Sequence, residues 1–450
     1  MELNPTPLEI ILFLYISLTI TVVTCNWKAW YKIWKEWRKR RRSPGQLRPR
    51  SPEACPRCIK PIYWLLDRAR GEVDPWSKKK SRAGRPKRID SHGYACVNRK
   101  CEYYLNADAA IHALVSDGKR NGIQYWRCRA CGSRKTSRWG TPVYRLKTKL
   151  SQIVMVMTAL TEGVDQAAAS RIFGHHPSTI ARWLYRGGAH GGRLQDRLFF
   201  RSVEDGHVQL DELKTGVKNE ESGVWLWTAI TSQSKIVLGF HLGVGGRPIA
   251  DACELMHQVW ERLKPGCFPV YTSDGLNQYF HGLTAHWGEW VKPKRARKYH
   301  WIPDVRLVYA QLRKTRYGRK VKFLYSIIRL GTREGIRLGL KGLGLSGRVQ
   351  TAFVERMNLT LRELIAPLSR RTWSMANDIE HLRLHIEWGL AYYHLARPHM
   401  SLEVRVRGPS KRRHRTPAMA AGLAGRVWSV EDLLLLPVPE GMDLEPSPLW

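Results

Sequence analysis

The chain has 450 residues, of which 43 % are hydrophobic, so wholesale disorder is excluded and two or three domains are expected. Lys and Arg number 75 against 38 Asp and Glu, which leaves a formal net charge of +37. A compact fold with this excess would repel itself unless a polyanion offset it. The charge therefore favours a nucleic acid partner first and an anionic membrane surface second.

Residues 1–45 form an apolar and polybasic leader. The segment Ile10–Cys25 carries no charge, and a Trp-rich zone and the basic run 38–42 follow it. Glu2 and Glu9 precede it without any Lys or Arg, unlike a secretory signal. The order predicts a membrane anchor with its basic side in the cytoplasm. Its sixteen uncharged residues are slightly short for a span of roughly 20 residues. A buried helix continuing into a DNA-binding arm is the alternative.

Residues 46–148 begin with a linker at 46–54 and then contain three close cysteine pairs. Such pairs on a basic, intracellular type of chain point to metal rather than to disulfides. Two of the pairs are separated by 26 residues and consist of Cys96, Cys101, Cys128 and Cys131. Each pair offers two thiolates from one tight turn, and four soft ligands in a tetrahedron suit Zn²⁺. We therefore predict a structural zinc ribbon.

Two further features of this region have open alternatives. The pair Cys55 and Cys58 could form a second Zn²⁺ site with His92 and another ligand, could replace one of the two pairs above, or could be an unmetallated remnant. The basic loop 77–88 contains Gly84-Arg85-Pro86, which resembles an AT-hook that inserts Arg85 into the minor groove of DNA. A solvated linker is the alternative reading of this loop.

Residues 149–200 are predicted to form a helix-turn-helix DNA-binding domain. Gly174 has the freedom that the turn requires, and Pro177 begins the second helix. Four residues of the first helix and two residues of the second should have side chains that face inward. These residues are Ala168, Ala169, Ile172, Phe173, Ile180 and Leu184. The outward residues of the second helix would read DNA base edges in the major groove. They are Ser178, Thr179, Arg182 and Arg186.

Residues 201–403 have the pattern of an α/β domain, followed by a C-terminal tail at 404–450. Four segments are rich in β-forming residues and are bounded by turn signals. They are Val208–Leu213, Val224–Ile230, Lys235–His241 and Phe268–Thr272. Helical spacing is present at Ile249–Leu263 and over residues 345–395.

Three carboxylates in this domain have contexts that suggest a metal site. Asp211 interrupts an apolar strand, where a lone charge is costly unless it is paired or holds a metal. Asp274 follows the end of another strand, and Glu355 lies on a helix with Arg362 on the same face. Carboxylate oxygens on rigid supports are what two hard cations require. Glu212 is the rival ligand, but strand alternation should turn it to the opposite face from Asp211.

The chain resembles insertion-sequence transposases of the DDE type, particularly single-reading-frame relatives of the smallest insertion elements. The resemblance covers about residues 93–430. Its matching stretches are Cys96–Tyr104, Tyr125–Tyr144, the helix-turn-helix, Gln209–Leu213, Thr272–Gly275, Thr351–Arg362, Tyr392–Leu402 and Thr416–Met419.

The resemblance implies a ribonuclease H-like catalytic core, a mixed sheet flanked by helices, preceded by the zinc ribbon and the helix-turn-helix. It implies that Asp211, Asp274 and Glu355 hold Mg²⁺ or Mn²⁺, with Arg362 near the scissile DNA. The implied partners are transposon inverted repeats, target DNA and further copies of the chain assembled on DNA. The implied location is the cytoplasm or nucleoid, with membrane tethering through the leader as an additional possibility.

The implied reaction is cleavage at the transposon ends, followed by attack of the freed 3′-hydroxyl on target DNA. Three alternatives stay open at the level of sequence. A ribonuclease H-like nuclease would share the triad without strand transfer. A non-catalytic zinc and helix-turn-helix regulator could dispense with residues 205–400. A membrane-tethered nucleic-acid-binding scaffold rests on the leader alone.

Overall fold

The structure is a computed structural model that describes residues 94, 96–104, 114–292, 298–318, 320–405 and 412–438. Several predicted features lie outside the described residues: Ile10–Cys25, Cys55, Cys58, His92 and Arg85. Within the described ranges, no helix combines the length and the apolarity that crossing a membrane requires.

The first described module is a small antiparallel sheet. Its strands are β1 (Leu114–Arg120), β2 (Ile123–Cys128) and β3 (Arg134–Thr136), in the order β1-β2-β3. Tyr103 and Trp126 are buried here beside the cysteines, in a cluster separate from the larger cores. The module thus has only a minimal hydrophobic core of its own.

Three helices follow: α1 (Leu150–Thr161), α2 (Gln166–Phe173) and α3 (Pro177–Phe199). Asp165 caps α2 by accepting a hydrogen bond from the amide of Ala168 at 2.8 Å. Gly174 ends the helix with φ of 69°, a left-handed conformation that glycine adopts without steric cost. The predicted pair of helices with its turn at Gly174 is therefore present.

The prediction that Ile172 of this helix pair faces inward is wrong. Ile172 is 64 % exposed, whereas Ala169, Ile180 and Leu184 are fully buried. The helix α2 has only eight residues and ends at Phe173, whose side chain packs against the main core. Phe173 follows Ala169 by four positions, so these two side chains lie on the same, inward face of α2. Ile172 lies beside that face and is exposed.

The largest sheet in the described part of the chain is mixed and has six strands, in the order β11-β10-β7-β4-β5-β6. Strand β4 is antiparallel to β5 and parallel to β7, and β7 is parallel to β10. The strands are β4 (His207–Val217), β5 (Glu220–Thr231), β6 (Val237–Val244), β7 (Val270–Ser273), β10 (Val308–Tyr317) and β11 (Lys320–Leu330). The four predicted strands correspond to β4, β5, β6 and β7. The predicted α/β class is confirmed at the level of a mixed sheet flanked by helices.

Helices cover both faces of this sheet. They are α4 (Ile249–Arg262), α5 (Gln278–His286), α6 (Arg333–Gly342), α7 (Ala352–Leu364) and α8 (Ile379–Leu395). Shorter elements are β8 (Gly288–Val291), β9 (His300–Pro303), β12 (Val404–Arg405), β13 (Arg412–Arg413), α9 (Pro417–Ala420), α10 (Val430–Leu435) and the 3₁₀ turns Ala366–Leu368 and Met400–Leu402.

Strand β4 shows how alternation distributes side chains between the two faces. Val208 and Leu210 pack in the core that contains residues of α4 and α5. Leu213 and Val217 pack in the core that contains residues of α7 and α8. Asp211 alternates in step with Leu213, so it lies on the α7 face of the sheet.

The helices before the sheet share its main core. Residues of α1 and α3 are buried in the same cluster as residues of β4, β5 and α4. Helix α3 packs closely on α8, and Gly188 lies so near that an added Cβ would come 2.1 Å from the Leu384 carbonyl oxygen. Leu433, in α10, joins the same core from the C-terminal tail.

The sequence patterns indicated no element between residues 300 and 345, where the structure has β9, β10, β11 and α6. Beyond Gln311, β10 no longer pairs with β7, and most side chains described there are exposed on both faces. A strand without a buried face has no alternation of apolar and polar residues, so the usual signal is missing.

Candidate active site

Asp211 and Asp274 meet at the point where two parallel strands stop pairing. The last register pair between β4 and β7 joins Leu210 to Ser273, and each aspartate follows directly. Carboxylate oxygens of Asp211, Glu212 and Asp274 all lie within 4.8 Å of one another. The structure therefore brings together two predicted ligands that are separated by 63 positions in sequence.

Asp211 is held by side chains from two other elements. The Asn358 amide, on α7, donates a hydrogen bond to Asp211 Oδ2 at 2.8 Å. The Thr228 hydroxyl, on β5, lies 3.2 Å from Asn358 Oδ1 and 3.3 Å from the Asp211 carbonyl oxygen. These contacts fix the orientation of the carboxylate. Asn358 follows Glu355 by three positions on α7, so its helical spacing is the only local signal in the sequence for this role.

The electrostatics of Asp211 favour a bound cation. Burial, followed by the negative charges of Glu212 and Asp274, raises the pKa of Asp211 to about 7. A carboxylate in this state is stabilised by positive charge nearby. Three oxygen donors at this spacing could hold a hard divalent cation, which prefers carboxylate ligands.

Glu212 occupies the opposite face of β4, as alternation predicted, yet it remains within reach of the cluster. Arg247 Nη1 donates to its Oε1 at 2.6 Å, and the Tyr279 hydroxyl donates to its Oε2 at 2.9 Å. Burial and the charge of Asp274 raise the pKa of Glu212. Alternation alone therefore does not remove Glu212 from the metal site, because Asp274 lies just past the end of β7, with its carboxylate near those of both Asp211 and Glu212.

Glu355 lines the same cleft as Asp211 and Asp274 but does not belong to the 4.8 Å group. Its Oε1 forms an ion pair with Lys314 of β10 and accepts a hydrogen bond from Thr351 at 2.8 Å. The cleft has a volume of about 620 Å³. Glu355 thus faces the aspartates across the cleft, with a lysine as its present partner.

The strands that carry the aspartates also hold the start of the helix that carries Glu355. Gln209 accepts hydrogen bonds from the amides of Phe353 and Val354, at 2.9 and 3.0 Å, and donates to the Gln350 carbonyl at 2.8 Å. The Thr272 hydroxyl donates to the same carbonyl at 3.2 Å. Gln209 and Thr272 each precede an aspartate by two positions, so both strands position α7.

Arg362 lies on α7, within the electrostatic influence of the cluster. Burial and Arg370 lower the pKa of Arg362, and the charge of Asp211 opposes this shift. Arg362 is half-buried and does not line the cleft. Its predicted place near scissile DNA remains a prediction.

The four cysteines of the small sheet converge as predicted. Sγ atoms of Cys96 and Cys131 are 3.5 Å apart, and those of Cys101 and Cys128 are 3.8 Å apart. All four lie within 4.8 Å of one another, so this cluster could hold a metal ion. Lys135 is buried nearby, and burial lowers its pKa to about 7 against the opposing charges of Cys96 and Cys128.

The predicted DNA-reading residues differ in their surroundings. Ser178 and Arg182 are exposed, and Thr179 is half-buried. Arg186 is half-buried and donates a hydrogen bond to the Tyr144 carbonyl at 2.7 Å. Arg186 therefore ties α3 to the preceding segment in this structure, whereas Arg182 remains directed to the surface.

No protein-family model matches this chain. No curated protein matches its sequence significantly.

Proposed function

We propose that this protein is a metal-dependent DNA strand-transfer enzyme of the DDE transposase type. The observation that carries the proposal is the convergence of Asp211 and Asp274 from adjacent parallel strands, in a cleft shared with Glu355. Five of the six strands support a ribonuclease H-like core, because the antiparallel strands β4, β5 and β6 are followed along the chain by the parallel strands β7 and β10. The net charge of +37 supports a polyanionic substrate.

The residues of the cleft would have distinct roles in binding the metal ions and the DNA. Asp211 and Asp274 supply the oxygen ligands, and Asn358 keeps the Asp211 carboxylate oriented. Glu355 completes the set from α7 once Lys314 turns toward a phosphate group, to which it would donate. Divalent cations held there, Mg²⁺ or Mn²⁺, would activate the attacking hydroxyl and stabilise the leaving oxygen.

The remaining modules fit recognition of DNA ends. The Cys96, Cys101, Cys128 and Cys131 cluster has the soft donors that Zn²⁺ prefers. Arg182 is exposed near the start of α3, and from there it would contact the major groove if α3 acts as the second helix of a helix-turn-helix.

The test uses DNA that flanks the coding region and contains its inverted repeats. Purified protein should cut at these ends in Mg²⁺, join the freed 3′ ends to a target plasmid, and do neither in a chelator. Asp211→Asn, Asp274→Asn and Glu355→Gln should each lower both rates by an order of 10³ or more, because each removes a metal-binding charge but preserves shape.

Glu212→Gln is the matched control. We expect it to be far milder, because Arg247 and Tyr279 already occupy both carboxylate oxygens of Glu212. Loss of activity in Glu212→Gln with activity retained in Glu355→Gln would make Glu212 the third ligand instead. Full activity of all the variants would refute the DDE assignment. Cutting without joining would favour the nuclease alternative.

A further inference from the structure

The hairpin formed by β10 and β11 extends from the sheet beyond the last pairing with β7. Parallel pairing of β10 with β7 ends at Gln311, whereas pairing with β11 continues to Tyr317. In the described part of the chain, the outer half of the hairpin therefore forms a two-stranded ribbon. Residues 311–326 contain six Lys or Arg and no Asp or Glu.

One face of this ribbon carries exposed aromatic rings. Arg313 pairs directly with Tyr325, and Thr315 with Phe323, so these four side chains share a face. Tyr317 continues the same face by alternation along β10. Tyr317, Phe323 and Tyr325 are 82 %, 60 % and 48 % exposed. Large rings with this exposure are unusual unless a partner covers them.

Cations are interleaved with the rings. Lys322 Nζ lies 6.0 Å from the centre of the Tyr317 ring and 5.5 Å from that of Phe323. Arg313 lies opposite Tyr325 and is exposed. A surface that presents both ring faces and positive charges suits a ligand with π-faces and a negative backbone.

The face is continuous with the acidic cleft. Arg313, Thr315 and Tyr325 line the cleft together with Asp211 and Asp274. Phe323 and Tyr317 then lie successively further toward the hairpin turn at Gly318. The ring face therefore runs outward from the site where the scissile phosphate would lie.

Spacing favours an unpaired strand over a duplex. Phe323 and Tyr325 are two residues apart on a strand, a separation of about 6.8 Å. Successive bases in B-DNA are only about 3.4 Å apart along a strand. Bases in a duplex also hide their faces in the stack, whereas an extended single strand can place each base on a separate ring.

We propose that the ribbon face of Arg313, Tyr317, Lys322, Phe323 and Tyr325 binds single-stranded DNA next to the cleaved phosphate. This inference rests on the proposed DNA-cleaving function, because it assigns the route of the strand leaving that site. It predicts that ends with an unpaired segment bind more tightly than blunt ends of the same sequence.

The test measures fluorescence anisotropy with full-length protein, in chelator so that cleavage cannot interfere. Two labelled DNAs are compared, a blunt duplex and the same duplex with a single-stranded extension. Phe323→Ala and Tyr325→Ala should each weaken binding of the extended DNA by on the order of tenfold, and leave the blunt duplex almost unchanged. Phe323→Trp should restore the binding, and Trp373→Ala, at an exposed ring outside the hairpin, should have no effect.

Equal losses on both DNAs, or no loss on either, would overturn the proposal. A change of oligomeric state by light scattering in Phe323→Ala, with DNA binding intact, would instead make the face a contact between copies of the chain. Failure of the proposed function is separable, because inactive wild-type protein could still show the ring-dependent preference for the extension. Unchanged thermal unfolding of the variants would exclude misfolding as the cause.

Discussion

At the scale of single residues, the candidate site depends on a charge that the protein alone does not neutralise. Asp211 has an amide and a hydroxyl to orient it, but its nearest charged neighbours named above are carboxylates. Arg247 neutralises Glu212, and Lys314 neutralises Glu355. Asp211 is thus the group whose ionised form gains most from a cation.

The ionisation of Asp211 should make the stability of the fold depend on pH. The folded pKa of Asp211 is about 7, above its ordinary value, so the protonated group stabilises the fold at low pH. That stability is lost as the pH rises through about 7, when the buried carboxylate ionises. In chelator, Asp211→Asn should therefore be more stable than wild type above pH 7, by on the order of 2–4 kcal/mol. The gain should shrink toward zero near pH 4.

Thermal unfolding across this pH range, with and without Mg²⁺, provides the measurement. Added Mg²⁺ should raise the Tm of wild type and leave that of Asp211→Asn nearly unchanged. Glu254→Gln, at an exposed position on α4, is the control and should show neither effect. A pH-independent difference between Asp211→Asn and wild type would contradict the electrostatic account.

At the scale of elements, the small cysteine sheet differs from the rest in what stabilises it. Its apolar cluster is small: besides the cysteines it buries Leu114 and Trp126 from the strands and Tyr103 from the preceding turn. Cys96, Cys101 and Cys128 are buried in the same cluster, and Cys131 packs against it. A core of this size requires additional stabilisation, which a metal ion bound by four thiolates would supply.

We therefore expect purified protein to contain about one zinc per chain at this site. Replacing Cys128 and Cys131 with Ser should release that metal and speed amide exchange in β1 to β3, with β4 and β5 still protected. Elemental analysis and hydrogen exchange would measure both effects. Cys253→Ser, on α4, is the control and should retain zinc. Protection of β1 to β3 that survives complete zinc removal would refute a structural metal.

At the scale of the whole molecule, the helices before the sheet and the sheet itself are parts of one core. Contact between α3 and α8 is central to this arrangement. Gly188 and Gly191 allow the backbones to approach, because Cβ atoms there would come 2.1 Å from Leu384 and 3.1 Å from Glu387 backbone oxygens. Helix α3 is consequently packed against the domain that carries the acidic cleft.

Gly188→Ala should be strongly destabilising, because the methyl group would meet backbone atoms of α8 that cannot move independently. We expect a loss of about 2–4 kcal/mol in the free energy of unfolding. Gly342→Ala, at the end of α6 with open space around it, should be neutral or stabilise by up to about 1 kcal/mol. Urea unfolding measures both, and equal stabilities of the two variants would contradict this packing.

The sequence by itself determined the features that local chemistry encodes. The β-forming residues at 208–213 predicted β4, and turn residues such as Gly174 predicted the helix pair, because a strand and a left-handed turn restrict which residues fit. Paired cysteines predicted the metal cluster, since close thiols have few other uses. The aspartates were identified because a charge within or beside an apolar strand needs a partner.

Only the tertiary structure decided which partners those residues have. Asn358 binds Asp211 across 147 positions of sequence, and Gln209 binds Gln350 across 141 positions. No local pattern encodes contacts at such distances along the chain. Glu212 is near the cluster because β7 ends beside it, and Arg186 turns to Tyr144 because α3 packs there. The β10–β11 hairpin has no sequence signal, because it is held by pairing between its strands. Its outer faces are exposed, so its apolar and polar residues do not alternate.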